Sequence, residues 1–448
     1  MVSIKKIYLD FEKHLEKTIK IKGWVSNLRG NLKIKFLDLN DGSTVENLQI
    51  VLKENDINLE LVDKARLGAA VEVEGILKES KTSKQKVELE AKKFNLLKNT
   101  DEDFPIQKKE ISREALREIP HLRHRTKLLK TIMLIRSTLT FEVHNFFNEN
   151  GFLNMAAPII TSNDGEGSGE MFIVDDESEK HFFGKVAKLG VTGQLHAEAY
   201  AVGLNKVYTF APIFRAENSH TKKHAAEFWM IEPEVAFYDL QKIIKLADQL
   251  LKYVIKNTLK KNKSEFKFLE STISPGIIEK LSSFISSPVN IIEYKDAIEI
   301  LKKERDVFEE KNIYFGMDLA TEHERYLAEN VFNAPVCVIN YPKGIKAFYM
   351  FLNPDNETVA SFDMLVPGIG ELIGGSQREN DYQKLVQRIK ELNIPQDEMQ
   401  WYLDLRRFGD AGSSGFGVGF ERLIMFVTGI DNIRDTIPFP RTTNNLKT

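Results

Sequence analysis

Residues 209–234 read TFAPIFRAENSHTKKHAAEFWMIEPE, with two apolar arms around a polar loop. Side chains in the arms alternate between apolar and polar, which is the period of a half-buried β-strand. The loop is rich in Asn, Ser, His and Lys, and the stretch carries the charged residues Arg215, Glu217 and His224. We therefore predict an antiparallel hairpin whose polar loop carries chemistry as well as structure.

Two further segments have unusual patterns. Residues 415–424 read GFGVGFERLI, which predicts a glycine-rich strand running into a helix with Arg422 in its first turn. From Leu128 to Asn150 apolar residues recur every three or four positions, which predicts one long amphipathic helix that ends at Gly151. Residues 151–158, GFLNMAAP, predict a strand followed by a proline.

The first 100 residues alternate apolar and polar side chains in short bursts that are separated by turn residues. These bursts are Ile19–Val25, Leu32–Leu39, Leu48–Leu52 and Ala70–Ile76. Residues 56–64 are the one helix predicted among them. Four or five short strands with one helix, in about 100 residues, are typical of an OB-type barrel.

The composition is that of a globular protein with more than one domain. The chain has 448 residues, 42% hydrophobic and 28% charged, with a formal net charge of −3. These values predict two or three globular domains and give no global sign of a polyanion partner. No apolar run of about 18 residues and no signal sequence is seen, so no membrane span is expected. Cys337 is the only cysteine, which excludes an intrachain disulfide and is typical of a cytoplasmic protein.

The predicted domain boundaries follow these patterns. Residues 1–100 form the barrel, and the polar residues 101–127, broken by prolines, form a linker. Residues 128–448 form the larger domain. Within it, the Lys- and Glu-rich residues 240–311 have helical periodicity and predict a helical excursion from the main sheet.

The three unusual segments together resemble motif 1 (through Pro158), motif 2 (around Arg215) and motif 3 (around Arg422) of the class II aminoacyl-tRNA synthetases. Each motif alone is a weak match, but all three occur in the family's order after an N-terminal barrel. The resemblance implies an α+β fold, with an OB-fold barrel followed by an antiparallel sheet that is flanked by helices. It also implies a homodimer, because motif 1 packs across a two-fold axis in this class.

The resemblance implies an ATP site with Arg215 and Arg422 as the catalytic residues. Arg215 would hold the α-phosphate and Arg422 the γ-phosphate of a bent ATP. Phe228 would stack on adenine, Glu217 would bind its amino group, and His224 would lie near the phosphates. Arginine suits this role because its planar donors stay charged and can bind phosphate oxygens in pairs.

Within class II, the N-terminal barrel resembles the aspartyl, asparaginyl and lysyl subgroup. Residues 158–172 and 191–198 look like the asparaginyl family, in which the first segment closes over the amino acid. Aspartyl enzymes carry a lysine where this chain has Ala197, and the neighbouring Glu198 could instead accept a hydrogen bond from an amide. A core ion pair is an equally good interpretation of Glu198.

Residues 362–378 resemble the metal and substrate strand of the family. Asp363 and Glu371 would bind Mg²⁺ with the ATP phosphates, since hard oxygen ligands suit that ion. Arg378 would donate to the side-chain carbonyl of asparagine. Glu166 and Gln194 would hold its α-amino group.

The barrel resembles the subgroup's anticodon-binding domain. Phe36 would stack on the middle base, and Arg29 and Gln49 would bind base edges or phosphate, as OB barrels do with unpaired bases. The alternative is an inward-facing Phe36 that fills the barrel.

The expected activity is activation of L-asparagine with ATP and transfer to the 3′ end of tRNA(Asn). Aspartyl-tRNA synthetase, an asparagine-synthetase paralogue and a catalytically inactive relative are the alternatives. Residues 409–414 lack the Pro-His pair that the family usually carries before motif 3. Lys223 stands where arginine is usual, and Gly165 where cysteine is frequent.

Overall fold

The structure is a computed structural model that describes residues 2–80, 85–109, 111–162, 165, 170–174, 180–219 and 221–447. The strands in these residues are β1 (Thr18–Gly30), β2 (Ile34–Asn40), β3 (Leu48–Lys53), β4 (Ala70–Glu79), β5 (Val87–Lys98), β6 (Leu153–Asn154), β7 (Ile160–Thr161), β8 (Ile173–Val174), β9 (Ala187–Leu189), β10 (Lys206–Phe214), β11 (Glu227–Ala236), β12 (Asn290–Glu293), β13 (Val336–Ile339), β14 (Ser361–Val366), β15 (Gly370–Gln377) and β16 (Ser413–Gly419).

The helices in the same residues are α1 (Ile4–Leu9), α2 (Leu59–Asp63), α3 (Arg113–Arg117), α4 (Pro120–Arg123), α5 (Lys127–Glu149), α6 (Gln194–Leu204), α7 (Leu240–Lys261), α8 (Lys263–Thr272), α9 (Ile277–Ser286), α10 (Tyr294–Lys303), α11 (Thr321–Tyr326), α12 (Tyr382–Glu391), α13 (Gln396–Arg407) and α14 (Phe420–Thr428). The chain divides into two compact units. One comprises Met1–Arg136, Asn262–Pro275 and Lys447–Thr448, and the other comprises Ser137–Lys261 and Gly276–Leu446. Among the described residues, no helix combines the length and the apolar character that a membrane span requires.

The first unit contains a closed five-stranded barrel in the order β1-β2-β3-β5-β4. Its strands bury alternate residues, as β1 does with Ile19, Ile21 and Val25. The alternation that predicted strands therefore fills the barrel interior. The predicted helix starts at Leu59, later than expected, because the Asn58 side chain accepts from the backbone N–H of Glu60 and caps it.

The second unit is organised around an eight-stranded sheet in the order β12-β13-β14-β15-β16-β11-β10-β6. The strands from β13 to β10 are antiparallel, as predicted, whereas β12 and β6 pair in parallel with β13 and β10 at the two edges. The strand β16 lies between the hairpins β14–β15 and β10–β11. The topology therefore places the hairpin β10–β11 beside β16 within one sheet, while the strand β6 of the third unusual segment lies at its edge.

The observed elements agree with the predicted fold class, an OB-type barrel with a mixed α+β domain. The helix α5 spans Lys127–Glu149 and buries the predicted apolar stripe, with Ile132, Ile135 and Leu139 all 0% exposed. Residues 240–311 contain α7 to α10 but also β12, which belongs to the main sheet. Residues 101–127 contain the short helices α3 and α4.

Cys337 lies in the middle of β13, between β12 and β14. Its side chain is fully buried, and burial raises the pKa of the thiol well above its usual range. The cysteine is therefore part of the packed sheet rather than a reactive group.

Candidate active site

The β10–β11 hairpin positions the polar loop that the sequence predicted. The backbone N–H of Arg215 donates to the carbonyl oxygen of Ala226 at 3.0 Å, which closes the loop at its base. Within the loop, the Thr221 hydroxyl and Nδ1 of His224 form a hydrogen bond. The two arms pair in register from Lys206 with Val235 to Phe214 with Glu227. Side chains at the loop base are therefore held by a regular ladder.

A cavity opens where this hairpin meets β15, β16 and α14. All six residues predicted to bind nucleotide line it, namely Arg215, Glu217, His224, Phe228, Glu371 and Arg422. Two glycines of β16, Gly417 and Gly419, form part of the wall and keep it free of side chains. The sequence-predicted residues, which span more than two hundred positions, thus converge on one concave surface.

Arginine, lysine and glutamate side chains all line the cavity. The guanidinium carbon of Arg215 lies 5.7 Å from the centre of the Phe228 ring. Arg422 Nη1 lies 3.5 Å from the carboxylate of Glu371. Burial, and next the charge of Arg422, lowers the pKa of both Lys223 and His224. Both groups give up their protons more readily than in water because burial disfavours their charged forms and, second, because Arg422 repels them.

Carboxylates gather next to the cationic wall. Asp363 on β14 pairs with Gly374 on β15, and Glu371 lies on the same hairpin. Glu324 of α11 accepts from the backbone N–H of Glu371 at 3.0 Å. Burial and then the charge of Glu371 raise the pKa of Glu324 to about 8. The sequence analysis assigned no role to Glu324, and its only signal was its place in a polar segment just before an apolar one.

Gly374 keeps an open space between the two carboxylates predicted to bind metal. A Cβ atom at this position would lie 3.0 Å from Glu371 Oε1 and 3.5 Å from Asp363 Oδ1. In the described part of the chain, no group of three or more His, Cys, Asp or Glu residues is placed to hold a metal ion on its own. A hard cation here would therefore need oxygen ligands from a bound molecule as well.

Arg378 follows directly after β15 and is buried, with its guanidinium group engaged. Its Nε donates to Glu234 Oε2 at 3.2 Å, its Nη2 donates to Glu234 Oε1, and its Nη1 donates to Ser376 Oγ at 2.6 Å. The guanidinium also lies 5.2 Å from the centre of the Tyr349 ring. Burial raises the pKa of Glu234, and Arg378 opposes that shift. The sequence analysis did not single out Glu234, although a glutamate in an apolar strand arm opposite Gly415 was a usable signal.

Glu198 lies behind this site in a second buried ion pair. Its Oε2 accepts from the Tyr402 hydroxyl at 2.6 Å and its Oε1 accepts from Arg406 Nη2. Both charged side chains are 0% exposed. This geometry favours the core ion-pair interpretation of Glu198 over direct contact with a ligand. Arg406 Nε also donates to the carbonyl oxygen of Glu379, the residue after Arg378.

Gln194 and Glu166 are the other two residues predicted at the amino-acid site. Gln194 begins α6, and within the described residues its buried side-chain nitrogen has no hydrogen-bond partner. A polar group buried in this way is free to bind a ligand. Glu166 lies outside the described residues.

The predicted base-binding residues share the outer face of the barrel. Arg29 donates to Asp38 Oδ2 at 2.9 Å and to Gln49 Oε1 at 2.7 Å. Its guanidinium carbon lies 5.7 Å from the centre of the Phe36 ring. Phe36 is only half-buried, whereas its neighbour Leu37 fills the barrel core. The inward-facing alternative for Phe36 is therefore excluded.

Comparison with known protein families agrees with this fold and this site. Residues 112–443 match the family described as tRNA synthetases class II (D, K and N). Residues 19–97 match the OB-fold nucleic acid binding domain. The chain thus belongs to the class II tRNA synthetases.

Individual relatives narrow the class further. The chain is 62% identical to the asparagine–tRNA ligase of Mycoplasma mobile over 447 residues, which cover 100% of both chains. It is 60% identical to that of Mycoplasmopsis pulmonis, with 99% of each chain covered. The crystal structure of asparaginyl-tRNA synthetase from Pyrococcus horikoshii with asparaginyl-adenylate superposes with a TM-score of 0.89 at 34% identity, covering 100% of this chain and 99% of that one. The chain belongs to the asparagine–tRNA ligase family, which confirms the predicted resemblance.

Proposed function

We propose that this chain joins L-asparagine to tRNA(Asn). Asparagine attacks the α-phosphate of ATP to give asparaginyl-adenylate and pyrophosphate, and the 3′ end of the tRNA then takes the aminoacyl group. The observation that carries this proposal is the single cavity that collects Arg215, Arg422, Phe228 and Glu217. The 62% identity to an asparagine–tRNA ligase supports asparagine over aspartate as the substrate.

Different cavity residues would bind the adenine and the phosphates of ATP. Phe228 offers a ring face for adenine, and Glu217 an acceptor for its amino group. Arg215 and Arg422 bind phosphate oxygens, and Arg215 stabilises the charge that develops at the α-phosphate during attack. No side-chain nucleophile is required, because fixed donors and correct placement of the reactants lower the barrier. His224 lies beside the phosphates in this arrangement.

Mg²⁺ is the proposed metal of the reaction. The space above Gly374 is bordered by Asp363 and Glu371, whose carboxylate oxygens are the ligand type that Mg²⁺ prefers. When bound, the ion would neutralise charge on the ATP phosphates. The raised pKa of Glu324 is consistent with excess negative charge at this place, which a divalent cation would offset.

The proposed amino-acid site centres on Arg378 and Gln194. Arg378 would donate to the side-chain carbonyl of asparagine, while Glu234 holds its guanidinium in place. Gln194 and Glu166 would bind the α-amino group. Glu198 would act at a distance, through Arg406 and the backbone of Glu379.

The proposed tRNA-binding surface is the outer face of the barrel. Phe36 would stack on an unpaired anticodon base, and Arg29 and Gln49 would bind base edges or phosphate. The hydrogen bond from Arg29 to Gln49 holds these donors together beside the ring. We further propose the domain boundaries 1–100, 101–127 and 128–448, and a place in the cytoplasm, where tRNA is charged.

We also propose a homodimer. Large apolar side chains are exposed on and after α5, including Phe141 at 65%, Leu153 at 51% and Ile160 at 42%. The strand β6 is an edge of the main sheet, and exposed edges and apolar patches mark association surfaces. A two-fold contact would bury both. A monomeric mass in light scattering at micromolar concentration would contradict the proposal.

The test of the activity is ATP–pyrophosphate exchange with asparagine and aspartate compared side by side. Asparagine should support exchange and aspartate should not. Arg215→Ala should reduce the rate by about 100-fold, since it removes one donor to the developing charge. Lys222→Ala is the matched control in the same loop, because its ion pair with Asp431 is exposed at the surface. Near-normal exchange by Arg215→Ala would show that the β10–β11 hairpin is not part of the active site.

A further inference from the structure

Lys346 is a buried cation beside the carboxylates of Asp363 and Glu371. Neither the predicted motifs nor the proposed reaction assigns it a role. Its Nζ donates to Asp363 Oδ2 at 2.6 Å. The side chain is 15% exposed and that of Asp363 is 11% exposed. The ammonium also lies 4.0 Å from the centre of the Tyr341 ring. Two contacts with buried groups therefore define its position.

The two carboxylate oxygens of Asp363 have different surroundings. Oδ2 accepts a hydrogen bond from Lys346 Nζ. Oδ1 faces the space above Gly374, with Glu371 Oε1 on the other side of that space. A rotation of the carboxylate plane out of this orientation would break the Lys346 contact, so the lysine holds the group with one oxygen directed toward the space beside Glu371.

The charge of Lys346 matters as much as its hydrogen bond. Asp363 and Glu371 border one small region, and their carboxylates attract cations. An ammonium at 2.6 Å from Asp363 occupies one side of the carboxylate and repels a divalent cation from that side. The other side, above Gly374, stays available to a metal ion.

We propose that Lys346 is a resident cation of the metal site. It positions Asp363, holds the place that a second divalent cation would otherwise take, and so restricts metal binding to the side of Glu371. This inference rests on the metal part of the proposed function. Lys346 is a positioning residue, because it touches a metal ligand and not the reacting atoms.

The test measures metal binding directly, apart from activity. Mn²⁺, as the probe ion, is titrated by calorimetry into the full chain saturated with a non-hydrolysable ATP analogue, with the analogue alone as the blank, for the wild type, Lys346→Gln and Lys346→Arg. Lys346→Gln keeps a donor to Asp363 but removes the charge, so Mn²⁺ should bind about tenfold more tightly, or with one more ion per chain. Lys346→Arg keeps the charge and should bind Mn²⁺ as the wild type does. Lys343→Met, which removes an ammonium from the adjoining turn, should change nothing.

Adenylate formation is measured in parallel. Lys346→Gln should show a lower kcat at saturating Mg²⁺ even though it binds the probe ion more tightly. If Lys346 were merely structural, Lys346→Gln would lower kcat and would also weaken Mn²⁺ binding. Should Lys346→Gln not fold, Lys346→Met removes the same charge at similar length and carries the same test.

The outcomes separate this inference from the proposed function. Unchanged or weaker Mn²⁺ binding by a folded, uncharged variant overturns the role of Lys346 while leaving the activity intact. A wild type that exchanges pyrophosphate but binds no Mn²⁺, with or without ATP, overturns both the metal assignment and this inference. A wild type without asparagine-dependent exchange overturns the proposed activity itself.

Discussion

Arg378 and Glu234 form a buried two-point ion pair across strands β15 and β11, which both pair with β16. The third donor group of Arg378 is held by Ser376. The guanidinium therefore has its orientation set before any ligand arrives. Such preorganisation is what a site needs in order to distinguish an amide from a carboxylate.

Gly415→Ala should disturb this pair specifically. A Cβ at residue 415 would overlap the Glu234 carboxylate, which is fully buried and paired with Arg378. We expect kcat/KM for asparagine to fall by about 100-fold, because small displacements of a positioning group have effects of this size. The KM for ATP should change far less. Gly203→Ala, where a Cβ meets nothing within 4 Å, is the control. An unchanged KM and kcat for asparagine would show that Glu234 does not position Arg378 for the substrate.

Removing one partner of the Glu198–Arg406 pair should destabilise the fold. Both side chains are fully buried, so Arg406→Met leaves Glu198 without its counter-ion. We expect a loss of about 3–5 kcal/mol in the free energy of unfolding, measured by urea titration. The double variant Glu198→Gln/Arg406→Met should recover part of that loss. Glu198→Gln should leave the ratio of asparagine to aspartate activation unchanged, and a relaxed ratio would instead place Glu198 at the amide.

Phe36→Ala should weaken tRNA charging and leave amino-acid activation intact. A stacked base contributes about 1–3 kcal/mol, so kcat/KM for the tRNA should fall by roughly 5- to 150-fold. Pyrophosphate exchange without tRNA should match the wild type, since the barrel core is unaltered. Leu9→Ala, which also removes an exposed apolar side chain from the first unit, is the control. Equal losses in both variants would argue against stacking.

The stability of the chain should depend on pH through His144. Burial lowers the pKa of its imidazole below the usual value of 6.5, so the folded chain holds this proton more weakly than the unfolded chain. Its contribution to stability is fully present above pH 6.5 and is lost as pH falls from 6.5 through the lower pKa of the folded chain. His144→Gln should therefore lose less stability than the wild type between pH 7 and pH 5, measured by urea titration. Tyr208→Phe removes only its hydrogen-bond partner and should keep the wild-type pH dependence.

The sequence predicted the local elements well and the long-range pairs poorly. Strand alternation and helical spacing are properties of neighbouring residues, so the barrel strand β1 and the helix α5 could be read directly. The partnership of Arg378 with Glu234 joins positions 144 residues apart, and no local pattern encodes it. The strand β12 was hidden in a helical stretch because four residues are too few to show a period. Glu198 could be located but not interpreted, since its partner Arg406 lies 208 residues away.

The single thiol of this protein, that of Cys337, can report local opening of the main sheet. Because its sulfur sits in the interior of β13, a reagent can modify it only when the neighbouring strands separate. The rate of alkylation under native conditions would then record how often the sheet opens, without any engineered label. Ligands that tighten the sheet would slow that rate, which offers a way to rank inhibitors by their effect on opening rather than on turnover.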